Sequence, residues 1–460
     1  MSLPIAALIA ILVAPALALF VARPVRTILP LYAATLPIAS VVRLSVPIPP
    51  PFNTLSSLLG GLTIVAGVVH IILYRRGRVP TLPVGLWMLF LAWAALSSFW
   101  ALSLGSAVDE VVLAVSLLSL LVVVSLLPAE ELDLDILRLA IILGGIAVGL
   151  YALVLVPSGA LPVHGVTERL SVASNPQDTN PNILAASLLL PAVLSLERLI
   201  VGGKRWFAPR TWRVIGGAGL LLSTLAILFT GSRGGLLACF IAMGVVIQRA
   251  RRLPGMRAVA RRAALGIAGG LTLILALGAA IMAAAPTSTA GEVIRSETLA
   301  RITRTTDSGS GRLQIWAVGG RACMRYCALG AGFGNFPEAY TEAFVGSDAS
   351  TNVGLDRPAH NVFLSLAVET GVVGITLFAL ALLLEYISLR RASMQRIAPG
   401  LAGALVAIVV AEIFLSAIWF KYFWLVFLLI RVAEGVAARQ PDPLSTAGGG
   451  PRAAIVETPA

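Results

Sequence analysis

The sequence predicts an all-α polytopic membrane protein, with about 12–13 transmembrane helices. Three observations carry that expectation. The chain of 460 residues is 58% hydrophobic and only 12% charged. Its mean hydropathy is +0.92. Its apolar runs repeatedly reach the ~20 residues that a helix needs to cross a bilayer. A soluble domain carries about twice this charged fraction. A transmembrane β-barrel is excluded, because its strands alternate in short segments rather than running continuously apolar.

In chain order the candidate spans are 4–22, 27–46, 55–74, 82–101, 107–127, 136–156, 182–200, 214–230, 234–248, 263–284, 359–384, 400–418 and 421–436. The first has no basic residues before it and reads as a retained span, not a cleaved signal. The second is interrupted by Pro30, Pro37 and Arg43, and the last is short. Residues 1–438 form the transmembrane domain, with one long loop at 285–358. Residues 439–460, rich in Pro, Gly and Ala, read as a disordered tail.

Net charge is +12. The basic residues fall in short loops at 23–26, 75–78, 204–213, 248–262 and 390–396. Such loops mark the cytoplasmic side. No basic patch is interleaved with aromatics, so nucleic acid is not an expected partner, whereas the lipid bilayer is. Alternating from these anchors puts 157–181, 230–235 and 285–359 on the other side. Cys323 and Cys327, four apart on that side, read as packed thiols more readily than as a local disulfide. Cys239 lies in an apolar run.

Polar residues at membrane depth are functional candidates by default. Four stretches, all on the expected outer side, hold them. "TGSRGG" at 230–235 joins two spans with almost no loop. Its glycines allow a tight turn with exposed N–H groups, and Ser232 and Arg233 add polar and cationic side chains suited to a phosphate. A snorkelling interfacial arginine is the alternative. In "GSGRLQIW", Ser308 or Ser310 is expected to cap a helix starting near Arg312, with Trp316 one turn on. Either a phosphate- or sugar-binding pair or a surface amphipathic helix fits this pattern.

In "RPAHNVFLSLAVETG", His360 and Asn361 open a span and Glu369 lies about two turns deeper. An imidazole can take a proton from a hydroxyl near neutral pH; an interfacial or capping histidine is the alternative. Glu369 is expected to pair with a basic group or to hydrogen-bond within the bundle. "ERLSVASNPQDTNPN" at 168–182 contributes Arg169 and Asn182, suited to sugar hydroxyls, although a turn with a helix cap serves equally. His70 and His164 lack such neighbours. No acidic or histidine cluster has metal-ligand spacing, so neither metal nor cofactor is expected.

"TGSRGG", then "GR…W", "LGAGFGNF" and "HNVFLSLAVETGVVG", with "NPN" at 180–182, resemble in order and spacing the O-antigen ligase and O-antigen polymerase superfamily. The resemblance covers roughly Arg169 to Gly374. It implies an inner-membrane, multi-pass glycosyltransferase of the GT-C type working on the periplasmic side. The implied reaction moves a glycan from an undecaprenyl-diphosphate carrier to an acceptor hydroxyl on a lipid or a second glycan, with inversion and without metal. Arg233 and Arg312 would hold the diphosphate and His360 would be the base. Arg169, Ser232, Trp316, Asn361 and Asn182 would bind substrate, with Glu369 behind them. One departure concerns the glycine-rich turn, expected to frame a substrate, where Ala328 stands in place of a common proline. A ligase is favoured over a polymerase by the long loop before the histidine. A small-solute or bicarbonate transporter is the rival class; it would need broken helices or charges near the midplane.

Overall fold

A computed structural model describes residues 17–38, 53–75, 77–158, 163–164, 167–168, 170, 180–203, 208–284, 311–345, 354–416, 418 and 420–439. The described residues are overwhelmingly helical. The helices are α1 (Pro24–Thr35), α2 (Leu55–Tyr74), α3 (Leu82–Leu96), α4 (Leu104–Leu126), α5 (Glu131–Ser158), α6 (Pro181–Ser187), α7 (Leu189–Val201), α8 (Pro209–Phe229), α9 (Arg233–Arg251), α10 (Arg257–Ala284), α11 (Arg312–Tyr326), α12 (Phe336–Val345), α13 (Val362–Ser388), α14 (Ala392–Ile397), α15 (Leu401–Glu412) and α16 (Lys421–Ala437). The two-residue strands β1 (Val163–His164) and β2 (Thr167–Glu168) pair antiparallel.

Among the described residues, eight segments are long and apolar enough to cross a membrane. They match the expected spans from 55–74 to 234–248 and that at 359–384. Helices α10, α15 and α16 cover three further expected spans. The expected span 4–22 and the end of 27–46 lie mostly outside the described residues, as do most of the tail and parts of the long loop. The short α16 is buried from Tyr422 to Val436, which explains how a run of 17 residues can sit at the centre of the bundle.

One end of the bundle is basic, as the loop charges predict. There Arg26 pairs with Glu130 at 2.7 Å and with Asp133 at 2.6 Å. Arg138 and Arg198 share Glu197 and Asp135. Arg431 pairs with Glu385 and, at 2.9 Å, with Glu434. Buried charges cost heavily unless paired, and these clusters close on themselves. Glu130, in the α4–α5 connection, has its carboxyl pulled down to about 2 by hydrogen bonds from Arg23 and Arg26.

The opposite end is built around a broken helix. α13 is interrupted at Gly371, with φ 65° and ψ −169°. A break inside a membrane helix frees carbonyls that lipid cannot satisfy. Here the chain itself takes them. Ala331 N–H donates to Val368 O at 2.8 Å, and Gly332 N–H to Glu369 O at 3.0 Å. The Trp93 indole donates to Thr370 O at 2.7 Å. In return Val372 N–H donates to Cys327 O at 2.8 Å. The "LGAGFGN" turn is thus plugged into the helix break and does not line an open site. Ser97 Oγ accepts from Phe333 N–H at 3.0 Å and so ties the turn to the end of α3. Glycine is required at two points: Cβ atoms on Gly330 and Gly371 would stand 2.3 Å from Glu369 O and 2.6 Å from the Leu329 carbonyl carbon.

Beside this plug, α11 and α12 form a small satellite core. Ile315, Val318, Ala322, Phe336 and Tyr340 pack there with Ala359 and Val368. A disulfide joins Cys323 to Cys327, which corrects the expectation of packed thiols. The last turn of α11 brings the two residues, one helical turn apart, side by side.

Gly371→Ala and Gly330→Ala should each destabilise the protein by more than ~1–3 kcal/mol, through forced strain and steric clash. Gly320→Ala, on an exposed helical position with nothing near its added Cβ, should be neutral or slightly stabilising. Thermal unfolding of the three variants in one detergent checks this. Equal midpoints would show that the plugged break is not under steric constraint.

Candidate active site

Four segments meet at the end opposite the basic loops. The first is the turn between α8 and α9. Gly231 adopts φ 62°. Ser232 caps α9, its Oγ accepting from Gly235 N–H at 3.2 Å. Thr230 Oγ1 accepts from Ser232 N–H at 3.2 Å. A Cβ on Gly234 would touch Phe414 at 3.0 Å, and one on Gly235 would touch Ala185 at 2.7 Å. The glycines therefore let α9 begin against α6 and the end of α15. The Arg233 side chain, at the first position of α9, is exposed.

The second segment is the start of α6. Asn180 is its N-cap, with Oδ1 accepting from Asn182 N–H at 3.0 Å. The third is the start of α11. Its N-cap is Gly311 at φ 77°, without a side-chain cap. This corrects the expected serine cap: Ser308 and Ser310 lie outside the described residues, and a left-handed glycine turns the chain into the helix. Arg312 follows directly. Asn182, Ser232, Gly234, Gly235, Arg312 and Phe414 line one small cavity. The structure thus brings together three of the expected residues, Asn182, Ser232 and Arg312. The Arg233 guanidinium is not among that cavity's lining.

The fourth segment carries His360. Its backbone adopts φ 49°, an uncommon conformation for a side chain of this kind and costly unless its neighbours hold it. Both neighbours are held. Ala359 O accepts from the Trp316 indole at 3.0 Å. Asn361 N–H donates to Ser416 Oγ at 3.1 Å. Asn361, not His360, is the cap of α13: its Oδ1 accepts from Phe363 and Leu364 N–H, both at 3.0 Å. Trp316 and Asn361 therefore act on the histidine through the backbone.

Electrostatics link His360 to Arg312. Burial, then the positive charges of Arg312 and Arg357, push its imidazole down to about 4. The ring is neutral at pH 7 and able to accept a proton. Glu369 is buried at the helix break. It accepts from Ser365 Oγ at 2.7 Å and from Gly334 N–H at 3.1 Å, so it hydrogen-bonds within the bundle and holds the plug. Arg169 lies outside the described residues. Among those residues, no group of three or more His, Cys, Asp or Glu side chains could hold a metal ion.

Sequence reasoning missed Arg357, Phe414 and Ser416. Arg357 stands three residues before His360 and was visible as a charge in the same stretch. Phe414 and Ser416 lie in an ordinary apolar run and matter only through contacts made in three dimensions.

Residues 218–379 match the family model described as O-Antigen ligase. No curated protein matches the chain. The matched segment, 162 of the 460 residues, contains Ser232, Arg233, Arg312, Trp316, His360, Asn361 and Glu369, and the match supports the O-antigen ligase superfamily for this polytopic membrane protein.

Proposed function

We propose that the protein is a GT-C-type glycosyltransferase of the inner membrane. It transfers a glycan from an undecaprenyl-diphosphate carrier to an acceptor hydroxyl on the periplasmic side. The observation that carries this reading is the coupling of a neutral, strained His360 to Arg312, beside a capped, N–H-rich turn. The acceptor is a lipid or a second lipid-linked glycan; the ligase reading is favoured by the loop that precedes the histidine. The disulfide between Cys323 and Cys327 supports an oxidising, extracytoplasmic side for the site.

In this mechanism the acceptor O–H gives its proton to the His360 ring nitrogen. The acceptor oxygen attacks the anomeric carbon opposite the diphosphate. The sugar–phosphate C–O bond breaks, its electrons leave with the diphosphate, and the configuration inverts. Arg312, Arg233 and the backbone N–H groups of Arg233 and Gly234 at the start of α9 stabilise the leaving charge without a metal. Asn182, Ser232 and, from sequence alone, Arg169 are assigned to substrate contacts. Trp316, Asn361 and Glu369 hold the frame. Burial and then the charges of Arg312 and Arg357 lower the proton affinity of His360. A bound diphosphate offsets their charge, so the base strengthens when the donor arrives.

A transporter is disfavoured, because the buried ion clusters among the described residues lie near the basic helix ends and are paired internally. The broken helix α13 has its freed carbonyls occupied by the chain itself.

His360→Ala and Arg312→Ala should each reduce transfer from a lipid-diphosphate-linked glycan by roughly 10²–10⁴-fold. Arg233→Ala should act mainly by raising the KM for the donor. Transfer in reconstituted vesicles, with thermal unfolding as a folding control, measures this. Wild-type rates in His360→Ala would end the assignment.

The chain has three histidines, so His360 can be followed by NMR with labelled histidine. It should stay neutral to about pH 4, and Arg357→Gln should move the titration upward. The unfolded chain binds a proton at ~6.5 that the folded one refuses. This group's contribution to stability is therefore lost as pH falls from ~6.5 towards 4. A titration at or above the ordinary histidine value would remove the positive field from the mechanism.

A further inference from the structure

A cavity of about 490 Å³ opens between α8 and α10. It shares no residue with the Arg312 cavity. Gly217 of α8 and Arg262, Gly266 and Gly270 of α10 line its sides, and it reaches Leu199 of α7 and the buried Met243 of α9. It is thus a recess between four helices and not a flat lipid-facing surface. Among its lining residues only Arg262 is charged. Ligand sites have this make-up: ~300–1,000 Å³, mostly apolar, with a few placed polar groups. A Cβ on Gly266 or Gly270 would meet nothing within 4 Å, so the chain leaves the space open. An apolar cavity of ~150 Å³ already takes a benzene-sized molecule, and this one has room for a hydrocarbon chain.

Charge gathers at one end of this recess. α8 and α10 both start at the basic end of the bundle. Arg210 and Arg213 stand in the first turns of α8, and Arg257, Arg261 and Arg262 in those of α10. All five are exposed, and among the described residues none has an ion pair with a carboxylate. Sequence explains why. From Leu199 to Gly291 the chain holds eleven basic residues and no Asp or Glu. The segment that supplies α8, α9 and α10 therefore brings no negative charge of its own. Arg262 stands eight residues before Gly270, so the recess runs about 12 Å inward from it. A long arginine covers apolar surface with its stem and keeps its head at the polar boundary. The order is a cation at headgroup depth, then open apolar space towards the bilayer interior.

We propose that the recess binds an anionic glycerophospholipid of the leaflet at the basic end. One acyl chain lies along Gly266 and Gly270, and the lipid phosphate meets Arg262, whose planar fork suits it. A zwitterionic headgroup carries no net charge to answer the unmatched arginines, so the site selects a net negative lipid. The glycines keep the chain's place free, and the bound lipid bridges α8 and α10. The assignment uses neither His360 nor the transfer reaction.

The test uses the full-length protein in phosphatidylcholine nanodiscs that hold a trace of phosphatidylglycerol with a photoreactive acyl chain. Labelled positions are read by mass spectrometry and should concentrate on the recess-lining parts of α8 and α10. Exchanging half of the phosphatidylcholine for unlabelled phosphatidylglycerol should lower this labelling about tenfold by competition. Exchange for zwitterionic phosphatidylethanolamine should leave it unchanged. Arg262→Gln should reduce the preference for phosphatidylglycerol about fivefold, the worth of one cation beside an anionic headgroup. Gly269 is equally open on α10 but outside the lining. Gly266→Leu should therefore lose most of the label and Gly269→Leu should keep it, with thermal unfolding as the folding control. Equal labelling of the two glycine variants overturns the proposal. Indifference of the wild type to phosphatidylglycerol, a result that needs no variant, shows ordinary surrounding lipid and overturns it too. Label absent from α8 and α10 also overturns it, and gives the recess to another occupant such as residues 1–16 of the chain or a second copy.

Discussion

The break in α13 at Gly371 sets the constraint on which this end of the molecule depends. A membrane helix cannot leave carbonyls open to lipid, where each costs several kcal/mol. Val368, Glu369 and Thr370 lose their usual intrahelical donors there, and three partners from elsewhere replace them. Two are backbone N–H groups of the glycine-rich turn and one is the Trp93 indole. Segments far apart in sequence are thereby locked to one point. The outer part of α13, from Asn361 to Thr370, is held as a separate piece whose start can be aimed independently of the membrane-crossing part below it.

The geometry around His360 follows from that arrangement. The plug joins α13 to α11, because Cys327 at the end of α11 accepts from Val372 just past the break. At its other end α11 begins with Arg312, and one turn later Trp316 reaches Ala359. The same short helix therefore delivers the cation and holds the backbone beside His360. Ser416 secures the other neighbour. The left-handed backbone of His360 persists because both flanks are tied. Glu369 contributes from below, where it binds Gly334 and Ser365 and so keeps the plug seated.

Charge is segregated along the bundle. At the basic end arginines are matched with carboxylates in closed networks, and Glu130 is kept ionised by two of them. At the other end Arg312 and Arg357 act on a histidine, and Lys421 rests on hydroxyls. The first arrangement holds helices together. The second gathers positive charge around His360.

The sequence by itself determined the class, most of the spans and the charged end. These are encoded in runs of about twenty residues and in local charge, which need no knowledge of distant contacts. It also marked His360, Arg312, Ser232 and Asn182, since polar residues stand out against an apolar background. The resemblance paired Arg233 with Arg312 on one diphosphate; in the folded chain the Arg233 side chain is exposed and outside the lining of the small cavity. The sequence took Leu329 to Phe336 for a flexible glycine-rich turn framing a substrate, because nothing local says that such a turn will enter a helix broken at Gly371. It did not tell which of His360 and Asn361 caps the helix that follows. That required the Asn361 side chain to be seen on Phe363 and Leu364, and Ser416 on the Asn361 backbone. Phe414, Ser416 and Lys421 gain their meaning only from partners brought near by folding. Helix breaks, caps and charge coupling are decided by contacts between remote segments, and those contacts exist only in the folded bundle.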